Sequence, residues 1–116
     1  MKQELEARTK RFALAIIAAA AEVPKSKAAD VICHQLLKSA TSIGANYREA
    51  CRATSHDDFI YKVSICEKEA AETEYWLELL IEGQLGSGAL LGSLQFEARE
   101  LLAIFSASGR TAKSRR

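Results

Sequence analysis

Six glutamates crowd one stretch of this chain, at positions 67, 69, 72, 74, 78 and 82, and inward-facing helical carboxylates are what a di-iron site uses. That chemistry also needs Glu-x-x-His pairs on two helices, and here no glutamate is followed three residues later by histidine. His34 and His56 stand alone, so the ligand count fails first. The glutamates read instead as a solvated or ion-paired face. In an antiparallel hairpin, Lys38 is expected near Glu69 and Glu72, and Arg52 near Asp57.

Cysteines 33, 51 and 66 form no Cys-x-x-Cys pair, which excludes a zinc knuckle and a dithiol redox motif. Three unpaired thiols suit a reducing cytoplasm, where cysteine serves as a small apolar residue. No Gly-x-Ser-x-Gly turn exists to expose a nucleophilic serine. Gly83, Gly86 and Gly88 follow a helical pattern rather than a strand, so they mark a turn and not a phosphate loop. No enzyme, cofactor or metal is expected.

The elements that carry these residues are helical. One proline in 116 residues, with abundant alanine, leucine, glutamate and lysine, favours helix. The length allows one domain, which buries roughly two-thirds of its unfolded surface without staples. Helix 1 is predicted over 3–22, with Leu5, Phe12, Ile16, Ala19 and Val23 on one face, stopped by Pro24. Ser26 caps helix 2, which runs to about Ala53 on a stripe of Ile32, Leu36, Ser39, Ile43, Asn46 and Ala50. Ser55, with Asp58 three residues on, forms a capping-box start for helix 3. Its seam is Phe59, Val63, Cys66, Ala70, Thr73, Leu77 and Leu80, ending near Gly83. Helix 4 spans 89–107 with Leu90, Leu94, Leu101 and Phe105.

Short connections make consecutive helices antiparallel neighbours, and the alternating four-three spacing is that of a left-handed bundle. The fold class is therefore all-α, an up-down-up-down left-handed four-helix bundle over 1–107, with 108–116 as a flexible basic tail.

Lys10-Arg11 before the apolar run Phe12–Ala21 resembles a signal peptide, but Glu4, Glu6 and Glu22 flank it and about ten residues cannot span a bilayer. A cytoplasmic chain without a membrane segment is the expectation. The formal charge of +1 conceals segregation. Residues 65–85 hold one basic and six acidic groups, while 86–116 hold five basic and two acidic. That balance is not the strong basicity of a dedicated nucleic-acid binder.

Two groups of residues stand apart from a plain core. Ser39, Gly44, Asn46 and Thr73 place polar or small groups in the seams, and with Ser55 they are assigned structural roles. Gly44 costs about 1 kcal/mol against alanine in a helix, which a close helix approach at Gly44 and Ala45 would explain. Asn46 is expected buried and hydrogen-bonded within the bundle. Ile65, Tyr75, Trp76 and Leu79 form a second apolar face on helix 3, suited to an interface.

Three blocks carry a resemblance. They are Gln35-Leu-Leu-Lys-Ser-Ala-Thr-Ser-Ile-Gly-Ala-Asn-Tyr-Arg-Glu-Ala50, Asp58-Phe-Ile-Tyr-Lys-Val-Ser-Ile-Cys-Glu-Lys-Glu-Ala70 and Glu72-Thr-Glu-Tyr-Trp-Leu77. Together they resemble the bacterial four-helix bundle family also called 23S ribosomal RNA intervening-sequence proteins, from about Phe12 to Phe105. The resemblance implies a left-handed four-helix bundle, commonly a homopentameric ring, and supplies no catalytic residues. A related branch, the accessory proteins of diversity-generating retroelements, looks like a basic pentameric barrel that binds reverse transcriptase and nucleic acid. This chain is near neutral where that branch is basic.

Two readings follow. The preferred one is a non-enzymatic scaffold that self-associates, with a pentamer preferred, and engages a further protein partner. The alternative is an RNA- or DNA-binding accessory protein using Lys38, Arg48, Arg52, Arg110, Lys113, Arg115 and Arg116.

Overall fold

Serine caps set where the helices begin. In the computed structural model, which describes residues 2–116, α1 spans Lys2–Glu22, α2 Lys27–Cys51, α3 His56–Glu82 and α4 Gly88–Ser114. Ser26 Oγ accepts from the Ala29 N–H at 3.1 Å, and Ser55 Oγ from the Asp58 N–H at 3.0 Å. Asp58 in turn accepts from the Thr54 N–H, so the first turn of α3 is tied at both sides. Ser87 caps α4 through the Leu90 N–H. At the other end of α3, Gln84 takes a left-handed φ of 56°. The Leu85 N–H reaches Leu80 O and the Gln84 N–H reaches Ile81 O, a Schellman ending that folds Leu85 onto the core.

The helices form a square in chain order. α3 packs most extensively, against both α2 and α4; α1 meets α2 and, more thinly, α4. Consecutive helices run antiparallel. Along α3, Cys66 faces Ile43 and Thr73 faces Ser39 on α2, while Glu67 faces Ser106 and Glu74 faces Arg99 on α4. The bundle is all-α, with no strand among the described residues, and measures 47 × 22 × 19 Å. No helix in it is long and apolar enough to cross a membrane.

Phe12, Ile16, Leu36, Ile43, Val63, Leu77, Leu80, Leu101 and Phe105 make the core. The thin α1–α4 seam is closed by charge instead. Arg8 holds Glu97 with two bonds, Nε to Oε2 at 2.7 Å and Nη2 to Oε1 at 2.8 Å, with Glu100 at 3.8 Å. Both members are about one-third exposed, so the fork adds orientation more than energy.

Several expectations need correction. Helix 4 does not end at 107, because its inner stripe continues through Ala98, Leu101, Phe105, Gly109 and Ala112, the last two buried. His56 Nε2 lies 2.7 Å from Ala112 O, and Arg116 pairs with Asp57 at 3.3 Å, which ties the final turns to α3. Residues 108–114 are thus part of the bundle and not a tail.

Asn46 is only half-buried, and its Nδ2 donates to Ser42 O in its own helix; Tyr47 takes the core position beside it. Phe59 likewise yields to Ile60. Thr9, overlooked in the first helix, is fully buried and lies against Gly44, so that glycine marks the approach of α1 to α2. Ala45 is exposed and takes no part.

Candidate functional site

The polar residues assigned structural roles divide three ways. Ser55 caps α3, and Ser39 and Thr73 form a buried pair. The Thr73 hydroxyl lies 2.9 Å from Ser39 Oγ and 2.8 Å from Glu69 O, while Ser39 donates to Leu36 O. Every lone hydroxyl is thereby partnered, and the pair sets the register of α2 against α3. Asn46 stands outside it. There is no ligand-sized opening among these residues; Ser39 borders instead a small polar cleft with Gln35, Lys38, Ser42, Lys68, Glu69 and Glu72.

Lys38 therefore shares a cleft with Glu69 and Glu72, as expected, without forming an ion pair. Burial, then the neighbouring Glu72, pushes the Glu69 carboxyl above its ordinary range. Arg52 is not Asp57's partner; its guanidinium reaches Arg48 O, and Arg116 takes Asp57. Nor do the α3 acids all turn to α2. Glu67 accepts from the Ser106 hydroxyl and Glu74 pairs with Arg99, both on α4.

No group of three or more His, Cys, Asp or Glu side chains is gathered as a metal would require, among the described residues. The three thiols are free. Cys66 is buried and its thiol lies 3.5 Å from Ile43 O. Desolvation pushes its pKa up to about 12, so the reactive thiolate is scarce near neutrality. We expect Cys66 to alkylate more than about 100-fold slower in the native protein than in urea at pH 8. Mass spectrometry after a timed pulse of iodoacetamide reads this directly. Equal rates in both solvents would show that the core opens at that position.

Outside the core the fold presents two extended kinds of surface. The first is basic. α2 and α4 run in the same direction, so their C-terminal ends meet at one end of the bundle. Arg48, Arg52, Arg110, Lys113, Arg115 and Arg116 all gather there, each exposed, with Asp57 and Asp58 at the start of α3 among them. Lys38 lies toward the other half and does not join them. Positions 48 and 110–116 come to the same end of the bundle because α4 continues alongside α3 as far as Ser114.

The second surface is apolar. Two diagonal helices carry a second stripe turned away from the core. On α1 it comprises Ala7, Lys10, Leu14, Ile17 and Ala21, with Leu14 55% and Ile17 47% exposed. On α3 it comprises Tyr61, Ile65, Lys68, Glu72, Tyr75, Leu79 and Glu82, with Tyr61 61% and Tyr75 52% exposed. Both stripes step alternately four and three, the spacing of a helix-pairing seam.

Of the residues assigned to the α3 interface, Ile65 and Leu79 are half-buried on this stripe and Tyr75 stands out from it. Trp76 differs. It packs against the core, its ring meets Tyr75 edge-on at 5.1 Å, and its indole N–H is buried without a partner. Position 76 lies 100° around the helix from 75, which turns it toward α2 rather than outward. Tyr61 was the missed member; extending the four-three stripe one step toward the helix start reaches it.

Residues 2–107 match the 23S rRNA-intervening sequence protein family. Among solved structures, the chain is similar to a protein of unknown function from the S23 ribosomal protein family of Bacteroides thetaiotaomicron. The identity is 36%, the TM-score 0.82, and the match covers 90% of this chain and 96% of that one. No curated protein matches.

Proposed function

The chain belongs to the 23S rRNA-intervening sequence protein family, and on that basis we propose that it is a non-enzymatic interaction protein that assembles with copies of itself. The observation that carries the reading is the outer face of α3, where Tyr61, Ile65, Tyr75 and Leu79 lie outside the core in helix-pairing spacing. A helix apolar on two faces is stable in water when both are covered. Three free cysteines, one of them buried, favour a reducing compartment such as the cytoplasm. A further protein partner could add to such a scaffold without changing its core.

Light scattering across micromolar concentrations tests self-association. The expected mass is a multiple of the 12.7 kDa chain. Five times that mass would be the pentamer implied by the family resemblance. A clean 12.7 kDa species throughout overturns the reading.

The gathered basic end supports a second reading, a nucleic-acid-binding accessory protein. Its six cations are exposed toward one end of the bundle, and each added copy would multiply them. The near-neutral total keeps it second. Binding to structured RNA and duplex DNA over a salt series decides, with Arg110, Lys113, Arg115 and Arg116 changed to glutamine alongside. Tight binding at physiological salt that falls steeply as salt rises would put this reading first. No binding at low salt would remove it.

A further inference from the structure

We infer that copies of this chain close into a ring by laying the outer stripe of α1 on one copy against the outer stripe of α4 on the next. The inference rests on the self-association just proposed, and it places a contact on faces other than that of α3, so the two can fail separately. A ring needs two different faces on each copy, whereas a face that meets its own counterpart joins copies only in pairs. α1 supplies Ala7, Lys10, Leu14, Ile17 and Ala21. The matching stripe on α4 is Ala89, Ser93, Phe96, Glu100 and Ala103, also stepping four and three and exposed throughout. At 65% exposed, Phe96 is the least covered large apolar side chain among the described residues.

Symmetry fixes how the stripes meet. Copies related by rotation about an axis parallel to the bundle stay at one level, and α1 and α4 run in opposite directions in each. The contact is therefore antiparallel and unshifted. Within one chain Arg8 holds Glu97 and lies 3.8 Å from Glu100, so Lys10 and Glu100 already share a level. Across the contact Lys10 then faces Glu100 of the next copy, Leu14 faces Phe96 and Ile17 faces Ser93. Ala7 meets Ala103 and Ala21 meets Ala89 at the two ends, where small side chains let the backbones approach. Lys10 has no ion-pair partner in its own chain among the described residues, and Glu100 has only the distant Arg8. Adjacent helices of a square present outer faces about 90° apart, near the about 108° between the two neighbours of each member in a five-membered ring. The stripes of α1 and α3 sit on diagonal helices and point in opposite directions, so pairing them extends a row of copies without closing it. The α3 face stays on the outer side of the ring, open to a further contact.

Charge reversal provides the test. Lys10→Glu sets two carboxylates face to face at every contact, and Glu100→Lys sets two ammonium groups there. Each single variant is expected to self-associate roughly 10-fold more weakly at low salt, because like charges face each other. The double variant Lys10→Glu/Glu100→Lys should recover the parent's mass, since it exchanges the charges and keeps their match. Phe96→Ser should weaken assembly by a similar factor at any salt, because it removes an apolar contact. Light scattering over a concentration series reads all four variants. Circular dichroism should be unchanged, positions 10, 96 and 100 being exposed.

Single variants that assemble like the parent overturn the inference while leaving self-association through α3 standing. So does a double variant as weak as the singles, or a Phe96→Ser variant as tight as the parent. A parent that stops at two copies overturns it too, because a ring of such contacts does not end in a pair. A monomeric parent overturns the self-association reading itself.

Discussion

Phe105→Ala is expected to remove about 3–5 kcal/mol of stability. The ring is fully buried and leans on Tyr47 at 5.6 Å between centroids, joining α4 to α2 across the core. Truncation forfeits the apolar transfer of the ring and leaves a cavity that four long helices cannot collapse without losing contacts elsewhere. Against a typical total of about 5–15 kcal/mol, the variant should be close to unfolded at ambient temperature. Urea denaturation reads the effect as a lowered midpoint at unchanged slope. A loss under about 1 kcal/mol would mean the core is not closed at that level.

Gly44→Val should cost about 1–3 kcal/mol through overpacking. A Cβ built there lies 3.1 Å from Thr9 Oγ1 and 3.3 Å from Thr9 Cβ. Thr9 has little room to yield. It is fully buried, and its hydroxyl is held at 2.9 Å from Leu5 O and 3.0 Å from Glu6 O in its own helix. Alanine is the informative companion, because it gains about 1 kcal/mol of helix propensity while meeting the same tight contact. Its net effect should be near zero or unfavourable. Combining Thr9→Ala with Gly44→Ala should then be less damaging than the two single changes added together, since the removed side chain makes room for the new one. Strict additivity would show that the two positions do not meet.

The α3 acids illustrate how a correct residue list can still mislead about partners. Read along the chain, they face the cations of the preceding helix. In the bundle, Glu67 and Glu74 point to α4, because helical positions seven apart share a side and that side is the α4 groove. The ion pair closing α1 on α4 joins residues 89 positions apart. No local pattern could have linked Arg8 to Glu97.

Local chemistry alone set where α1 stops and where α2 and α3 start. Pro24 ends α1, and Ser26 and Ser55 begin the next two helices, because capping and ring geometry act over three or four residues. The four-three spacing of apolar residues likewise determined that each helix has a core face. Which residue stands at its centre is another matter. Adjacent positions differ by 100° around a helix, so Asn46 and Tyr47 both border the stripe, as do Phe59 and Ile60. Packing against neighbours chose Tyr47 and Ile60, since the rotation of a helix is settled by what it touches. The same holds for Trp76, turned inward by the neighbouring helix, and for the end of α4. Residues 108–116 read as a flexible basic tail, yet Gly109 and Ala112 are small enough to lie against α3, and that tertiary contact keeps the helix going. The uncovered face of α3 and the basic end exist for one physical reason. Periodicity tells which residues share a side of a helix, and only the assembled bundle tells which sides remain uncovered.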